Sequence, residues 1–220
     1  MKQRLLGFVL FLVSAFFFFV VSENRYEAVI FLMGMWYGFV LVFRRGLELF
    51  FAQFQNPILV YGALVCIGGM LIEASAYTSN IPKIMSGEQV YLFSTNFVTD
   101  MLIGFPHYIA LGVTWAWVIK RYDISATVQA LLILLFWGLT VDQFTHLFAL
   151  LSGNILDFVV AGALMVFALN WPLVIMEKKI EETYPLRAKG KKRYIVGFLA
   201  QIIPMIVLLG VGFLYFAVFK

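Results

Sequence analysis

Two residues that could move a proton lie four positions apart in a long apolar stretch of the chain. Asp142 and His146 occur in "GLTVDQFTH", within an apolar run that begins near Ala126. Side chains at positions i and i+4 of a helix share one face, so this carboxyl and this imidazole are expected to be neighbours. A carboxylic acid oriented by a histidine could serve as a general acid or base.

The composition indicates that the helices that hold these residues lie in a membrane. Hydrophobic residues make up 63% of the 220-residue chain and charged residues 13%, and the mean hydropathy is +0.94. These values lie well outside the usual range of soluble globular domains. The sequence therefore predicts an all-α, polytopic integral membrane protein whose residues 1–220 form a single domain in the cell membrane.

Seven apolar segments are each near the length needed to cross about 30 Å of hydrocarbon. They cover residues 5–21, 28–43, 57–77, 97–119, 125–147, 155–176 and 194–219. We interpret the first as a membrane span rather than a secretory signal peptide. Residues 44–57 allow two interpretations, an amphipathic helix on the inner membrane surface or a simple extension of the second span.

The distribution of basic residues predicts the orientation of this seven-helix bundle. With the N-terminus in the cytoplasm, only Arg25, Lys83 and Lys220 of the 16 lysine and arginine residues fall outside. Basic residues concentrate on the cytoplasmic side of membrane proteins, so the asymmetry supports this orientation. It also accounts for the net charge of +4 without a nucleic-acid partner.

Four acidic residues are expected at one depth in this bundle. At about 1.5 Å per residue, Glu73 lies about 24 Å and Asp142 about 25 Å from the inner ends of their spans. Asp100 and Asp157 follow soon after the chain re-enters the membrane from the outside, where either could instead cap a helix. Because burying an acid in a membrane is costly, four in one layer predict a functional polar chamber in the outer third of the membrane.

A chamber of this kind could protonate a carbon–carbon double bond. A buried carboxyl keeps its proton more readily than an exposed one, and aromatic rings can stabilise a carbocation. Hydration would follow if water captured the cation, and cyclisation if a second alkene did. Asp142 is the predicted acid, His146 its orienting partner, and Glu73 its partner carboxyl or the base that handles water.

Several stretches resemble the carotenoid biosynthesis membrane protein family, which includes carotenoid hydratases of the bisanhydrobacterioruberin type. They are "GGMLIEASAYTSNI", "EQVYLF", "GFPHYIALGVTW", "LTVDQF" and "NWP", spread over residues 68–172. The chain departs from the family pattern in its loop after the third span, which is not glycine-rich, and after Asp142, where the family's second aspartate followed by proline is absent. The resemblance implies a distant relative acting on a long isoprenoid held in the bilayer.

The resemblance and the polar layer together define the predicted site. The predicted catalytic residues are Asp142, Glu73, His146 and Asp100. The predicted substrate-binding residues are His107, Tyr91, Trp115, Asn170, Trp171 and Asp157. No metal and no cofactor is predicted, and the partner is a membrane lipid or isoprenoid.

Three other functions fit parts of the sequence. A proton-coupled transporter or channel would use the same acids as a relay, but would favour a polar path through the inner half of the membrane as well. A metal-dependent lipid hydrolase could use His107, His146, Asp100 and Asp142 as ligands, although no compact motif such as HExxH occurs. A non-enzymatic assembly partner is the third alternative.

Overall fold

A computed structural model describes residues 2–21, 25–87, 94–140 and 155–219. Within these ranges the chain forms helices joined by turns, together with one isolated bridge between Tyr122 and Ala188. The helices are α1 (Lys2–Val21), α2 (Arg25–Phe51), α3 (Pro57–Ser86), α4 (Phe97–Arg121), α5 (Ala126–Thr140), α6 (Ile155–Leu169), α7 (Trp171–Thr183), α8 (Lys192–Leu199) and α9 (Ile202–Phe219). The predicted all-α class is confirmed.

Three apolar helical stretches in the described ranges are long enough to cross a membrane. They are Pro57–Thr78, Phe97–Arg121 and Lys192–Tyr215, judged by length and composition. Gln3–Phe18 and Ala126–Trp137 are shorter apolar helices. These stretches support the membrane class, whereas the count of seven spans and the single domain remain predictions.

An asparagine stands directly before α3 and another directly before α4, and each caps its helix. The Asn56 side chain accepts a hydrogen bond from the Leu59 N–H at 3.2 Å, and the Asn96 side chain accepts one from the Thr99 N–H at 3.1 Å. Each side chain satisfies a backbone donor that has no partner inside its helix. These caps set the starting points of the two helices that carry Glu73 and Asp100.

The segment after the second predicted span continues that span. α2 runs without a break to Phe51, and Arg44 pairs with Glu48 one turn later at 2.6 Å. Leu47 and Phe51 pack against the protein core. A separate amphipathic helix on the membrane surface is therefore wrong for residues 44–57, and the extension is right, because nothing breaks the helix before Phe51.

Two of the predicted spans are divided into two helices. The sixth divides at Asn170, which is followed by Pro172 near the start of α7, and the seventh divides at Ala200 and Gln201. Proline lacks the N–H that would continue the helical hydrogen-bond pattern, which explains the first break. By contrast, α4 continues through Pro106 without ending.

The helices pack in neighbouring pairs around a buried core. α1 packs on α2, α3 on α4, α5 on α6, and α9 on α4. Large apolar side chains on α1 and α9 remain exposed, among them Leu5, Phe16, Leu209 and Phe213. Rows of exposed apolar side chains are typical of helices that face lipid.

Candidate functional site

The centre of the candidate site is a hydrogen bond between α3 and α4. The Tyr108 hydroxyl donates to Glu73 Oε2 at 2.6 Å. The helices approach closely here because a glycine of α3 stands opposite the tyrosine. A Cβ atom on Gly69 would lie 2.0 Å from the Tyr108 ring. The absence of a side chain at Gly69 leaves the space that the ring fills.

Asp100 lies beside this pair and is fully buried. Its Oδ1 accepts a hydrogen bond from the Ser94 N–H at 3.1 Å, while its Oδ2 is buried without a hydrogen-bond partner among the described residues. The carboxyl is close enough to Glu73 for the two groups to interact electrostatically. Because Asn96 caps α4, the alternative that Asp100 is the cap is wrong.

The two carboxyls have no described cationic partner. The ion pairs between described side chains involve neither Glu73 nor Asp100. Burying one charged carboxylate without a partner is costly, and burying two side by side costs more. The pair is therefore a candidate functional feature rather than part of a structural ion pair.

His107 extends the candidate site toward α9. Its Nδ1 lies 2.8 Å from the carbonyl oxygen of Pro204, which can only accept a hydrogen bond. Nδ1 therefore carries the hydrogen, and in the neutral ring Nε2 is left as an acceptor. The ring also makes edge contacts with Tyr108 and Trp137, with centroids 5.0 and 5.8 Å apart.

The structure brings together two of the predicted site residues, Glu73 and Asp100. It places a third, His107, against Tyr108. Asp142, His146 and Tyr91 lie outside the described residues, as does the side chain of Asp157, although α6 itself is described. The grouping of Asp142 with Glu73 therefore stays a prediction.

The remaining predicted residues lie away from the carboxyl pair. Trp115 is buried in the core two turns beyond Tyr108 along α4. Trp171 packs edge-on against Trp36, with ring centroids 5.4 Å apart. Asn170 belongs to a second polar cluster in what would be the inner half of the membrane. No contact of these three with Glu73 or Asp100 is described.

This second cluster is a hydrogen-bonded network that the sequence did not reveal. The Asn170 side chain accepts from the Tyr37 hydroxyl at 2.9 Å and donates to the Ala126 carbonyl at 2.8 Å and to Gln129 Oε1 at 3.0 Å. Gln129 in turn donates to the Tyr61 hydroxyl. The network joins α2, α3 and α5 to the break between α6 and α7. A glutamine and an asparagine within apolar spans were the available signal.

Tyr108 is the residue of the candidate site that is absent from the predicted catalytic and substrate-binding residues. Its signal was its spacing, since Asp100, Gly104 and Tyr108 repeat every four residues and therefore share one face of α4.

As for metals, the part of the chain that the structure describes contains no group of three or more histidine, cysteine, aspartate or glutamate side chains able to hold an ion.

Comparisons of the chain with protein-family models, curated proteins and solved structures found no significant match. The functional argument therefore rests on the residues themselves.

Proposed function

We propose that this protein is a multi-pass enzyme of the cell membrane that modifies an isoprenoid by protonating one of its double bonds. The proposed topology has seven spans and a cytoplasmic N-terminus. The observation that carries the proposal is the part-buried Glu73–Tyr108 hydrogen bond with the buried Asp100 carboxyl beside it. These side chains supply a carboxylic acid, a tyrosine that orients it, and a second carboxyl next to it.

In the proposed reaction, a protonated carboxyl of the pair gives its hydrogen to one alkene carbon. The alkene π electrons form the new C–H bond, which leaves a tertiary carbocation and a carboxylate. Water then adds to the cation, and the extra proton of the adduct returns to the carboxylate. The net change is the addition of one water molecule, and the acid is regenerated.

The chain's own residues have distinct parts in this proposal. Tyr108 positions Glu73 by its hydrogen bond, and Asp100 or Glu73 donates the proton. The rings of Tyr108 and Trp137 lie next to His107 and offer aromatic faces for the cation. Asp142 and His146 are proposed to complete the same chamber.

The resemblance to the carotenoid biosynthesis membrane protein family supports the choice of a long isoprenoid as substrate. Cyclisation is the variant of the reaction in which a second double bond of the substrate, rather than water, captures the cation. Both outcomes begin with the same proton transfer, so the same site serves either.

The experiment is expression of the full chain in cells that make lycopene or related polyenes. Mass analysis of the extracted pigments distinguishes hydration, which adds the mass of one water, from cyclisation, which gives an isomer. A new product that depends on the chain is the expected result. Unchanged polyenes across a panel of polyprenyl substrates would count against the proposal.

A proton-coupled transporter is the second candidate, and the buried network around Asn170 favours it. Transport would require polar groups in the inner half of the membrane, and Tyr61, Gln129, Asn170 and Tyr37 are such groups. They are neutral and bonded to one another, which is also typical of a structural link between helices. Reconstituted vesicles with an imposed pH gradient would test it, since a transporter would dissipate the gradient and the proposed enzyme would not.

A further inference from the structure

We propose that a cavity at the cytoplasmic end of the bundle binds the zwitterionic headgroup of a membrane phospholipid, of the phosphoethanolamine type. The proposal rests on the proposed membrane placement and orientation, and not on the alkene chemistry. The cavity has a volume of about 330 Å³, within the range of small-molecule sites. Its lining residues are Asp123, Glu181, Tyr184, Pro185, Arg187 and Lys189.

A buried arginine fixes the base of this cavity. The Arg187 side chain is only 4% exposed, and its Nη2 lies 3.1 Å from Asp123 Oδ1 and 3.6 Å from Glu181 Oε1. Arg193 Nη1 approaches the second Asp123 oxygen at 3.7 Å. Asp123 is therefore held between two arginines, and little of its charge is left for a ligand.

Backbone pairing holds the wall of the cavity in place. The Ala188 N–H donates to the Arg121 carbonyl at 2.8 Å, and the Asp123 N–H donates to the Ala188 carbonyl at 3.0 Å. These bonds attach the loop after α7 to the turn between α4 and α5. A wall fixed in this way keeps the charged groups at set positions before a ligand arrives, which lowers the entropic cost of binding.

Two charged side chains at the rim, one acidic and one basic, remain available to a ligand. Glu181 is 53% exposed, with one oxygen shared with Arg187. Lys189 is exposed and takes part in none of the ion pairs between described side chains. A ligand with a phosphate for the lysine and an ammonium for the glutamate complements this pair, and an anionic headgroup complements only half of it.

Nearby apolar and aromatic side chains place the opening at the level of lipid headgroups. Leu186, in the loop that walls the cavity, is 98% exposed. Tyr184 lines the cavity, and Trp117 and Tyr194 lie on α4 and α8, the helices whose ends are within a few residues of the lining. Each ring lies beneath a basic group, with the Arg121 guanidinium 5.0 Å from the Trp117 ring. Tryptophan and tyrosine concentrate at membrane interfaces, so the occupant is a bilayer lipid rather than a soluble metabolite.

The test uses the full-length protein in mild detergent, titrated with short-chain phosphatidylethanolamine, phosphatidylcholine or phosphatidylglycerol. Bound lipid is counted by native mass spectrometry. We expect phosphatidylethanolamine to bind about threefold to tenfold more tightly than the other two, because only its headgroup has a cationic group that also donates hydrogen bonds to Glu181. Equal affinity for phosphatidylethanolamine and phosphatidylglycerol would overturn the proposal.

Variants test whether the preference for phosphatidylethanolamine arises at this cavity. Glu181→Gln should remove the preference for phosphatidylethanolamine, and Lys189→Ala should weaken binding of all three lipids. The matched controls are Glu182→Gln and Lys191→Ala, which change exposed neighbours that do not line the cavity. Loss of the preference in Glu182→Gln to the same extent as in Glu181→Gln would contradict the assignment.

Soluble phosphoethanolamine tests whether the cavity binds the headgroup of a membrane lipid or a free soluble ligand with the same groups. It should fail to compete at concentrations that saturate the lipid site, because it lacks the acyl chains that contact the apolar rim. Competition as strong as that of the lipid would show a site for a soluble ligand and overturn the lipid assignment. The assay needs neither isoprenoid nor turnover, so its failure leaves the proposed enzyme activity standing.

Discussion

Tyr108 reaches Glu73 across the contact between α3 and α4, and the 2.6 Å hydrogen bond joins a buried ring to a part-buried carboxyl. Gly69, one turn before Glu73, lies against that ring. The geometry of the site therefore depends on a residue with no side chain as much as on the two that form the bond.

Gly69→Ala should separate α3 from α4 and destabilise the protein. The added methyl would lie 2.0 Å from the Tyr108 ring, so either the ring or a helix must move. Overpacking of this kind costs about 1–3 kcal/mol, which thermal unfolding in detergent would detect. The control is Gly46→Ala on α2, where nothing lies within 4 Å of the added atom. The control should be neutral or stabilising, as expected for alanine in a helix.

Tyr108→Phe should impair product formation more than stability. The ring and its packing remain, and the loss of the hydroxyl frees the Glu73 carboxyl from its fixed position. We expect a fall in turnover of about tenfold to a hundredfold, with a stability loss of about 1 kcal/mol. This fall is less than the contribution of a general acid itself, about 10²–10⁴-fold, because Tyr108 acts through Glu73. Tyr77→Phe is the matched control, since its hydroxyl donates to the Thr95 carbonyl. Equal loss of activity in both variants would contradict a role for Tyr108 in positioning Glu73.

Asn170→Leu should destabilise the bundle more than Tyr37→Phe. The first change removes three hydrogen bonds and leaves the Ala126 carbonyl and Gln129 with unsatisfied groups. The second removes one bond. Buried groups left unsatisfied cost about 1–3 kcal/mol each, so unfolding should show a loss of several kcal/mol against about 1 kcal/mol. Similar losses in the two variants would mean that Asn170 does not join the helices as described.

Glu177 gives a prediction for pH dependence at the contact between α5 and α7. Burial raises the pKa of this carboxyl, and the hydrogen bond from the Ala126 N–H only partly opposes the effect. The folded state therefore holds the proton more tightly than the unfolded state does. Stability that is present below the ordinary glutamate pKa is lost as the pH rises through the raised pKa.

Glu177→Gln is the variant that tests this dependence. Its amide oxygen can still accept from Ala126, and it carries no charge at any pH. The variant should unfold at a higher temperature than the wild type at about pH 7 and at nearly the same temperature at about pH 4. The opposite order at neutral pH would show that the nearby arginines outweigh burial.

The sequence was most informative where local signals mark a helix. Residues 57 and 97 were predicted as the starts of spans and are the starts of α3 and α4, where an asparagine precedes each. The approach of Glu73 and Asp100 followed from depth alone, because two helices that run in opposite directions place those positions at one level.

Other features depend on contacts that hydropathy does not encode. The breaks at Asn170 and at Gln201 lie within apolar runs that were each predicted as one continuous span. The rotation of α4, which points Tyr108 at Glu73, depends on packing against Gly69. Arg187 lies in a charged loop, yet it is buried against Asp123, which is far away in the sequence.

The most direct test of the central claim compares Glu73→Gln and Asp100→Asn with the wild type in cells that make polyenes. The quantity measured is the yield of the water adduct or isomer per folded protein, with Glu182→Gln as the control. The account predicts a loss of product of about a hundredfold or more in both site variants, because each removes an acidic proton from the pair. Wild-type yields from both variants would contradict acid-initiated chemistry at this site.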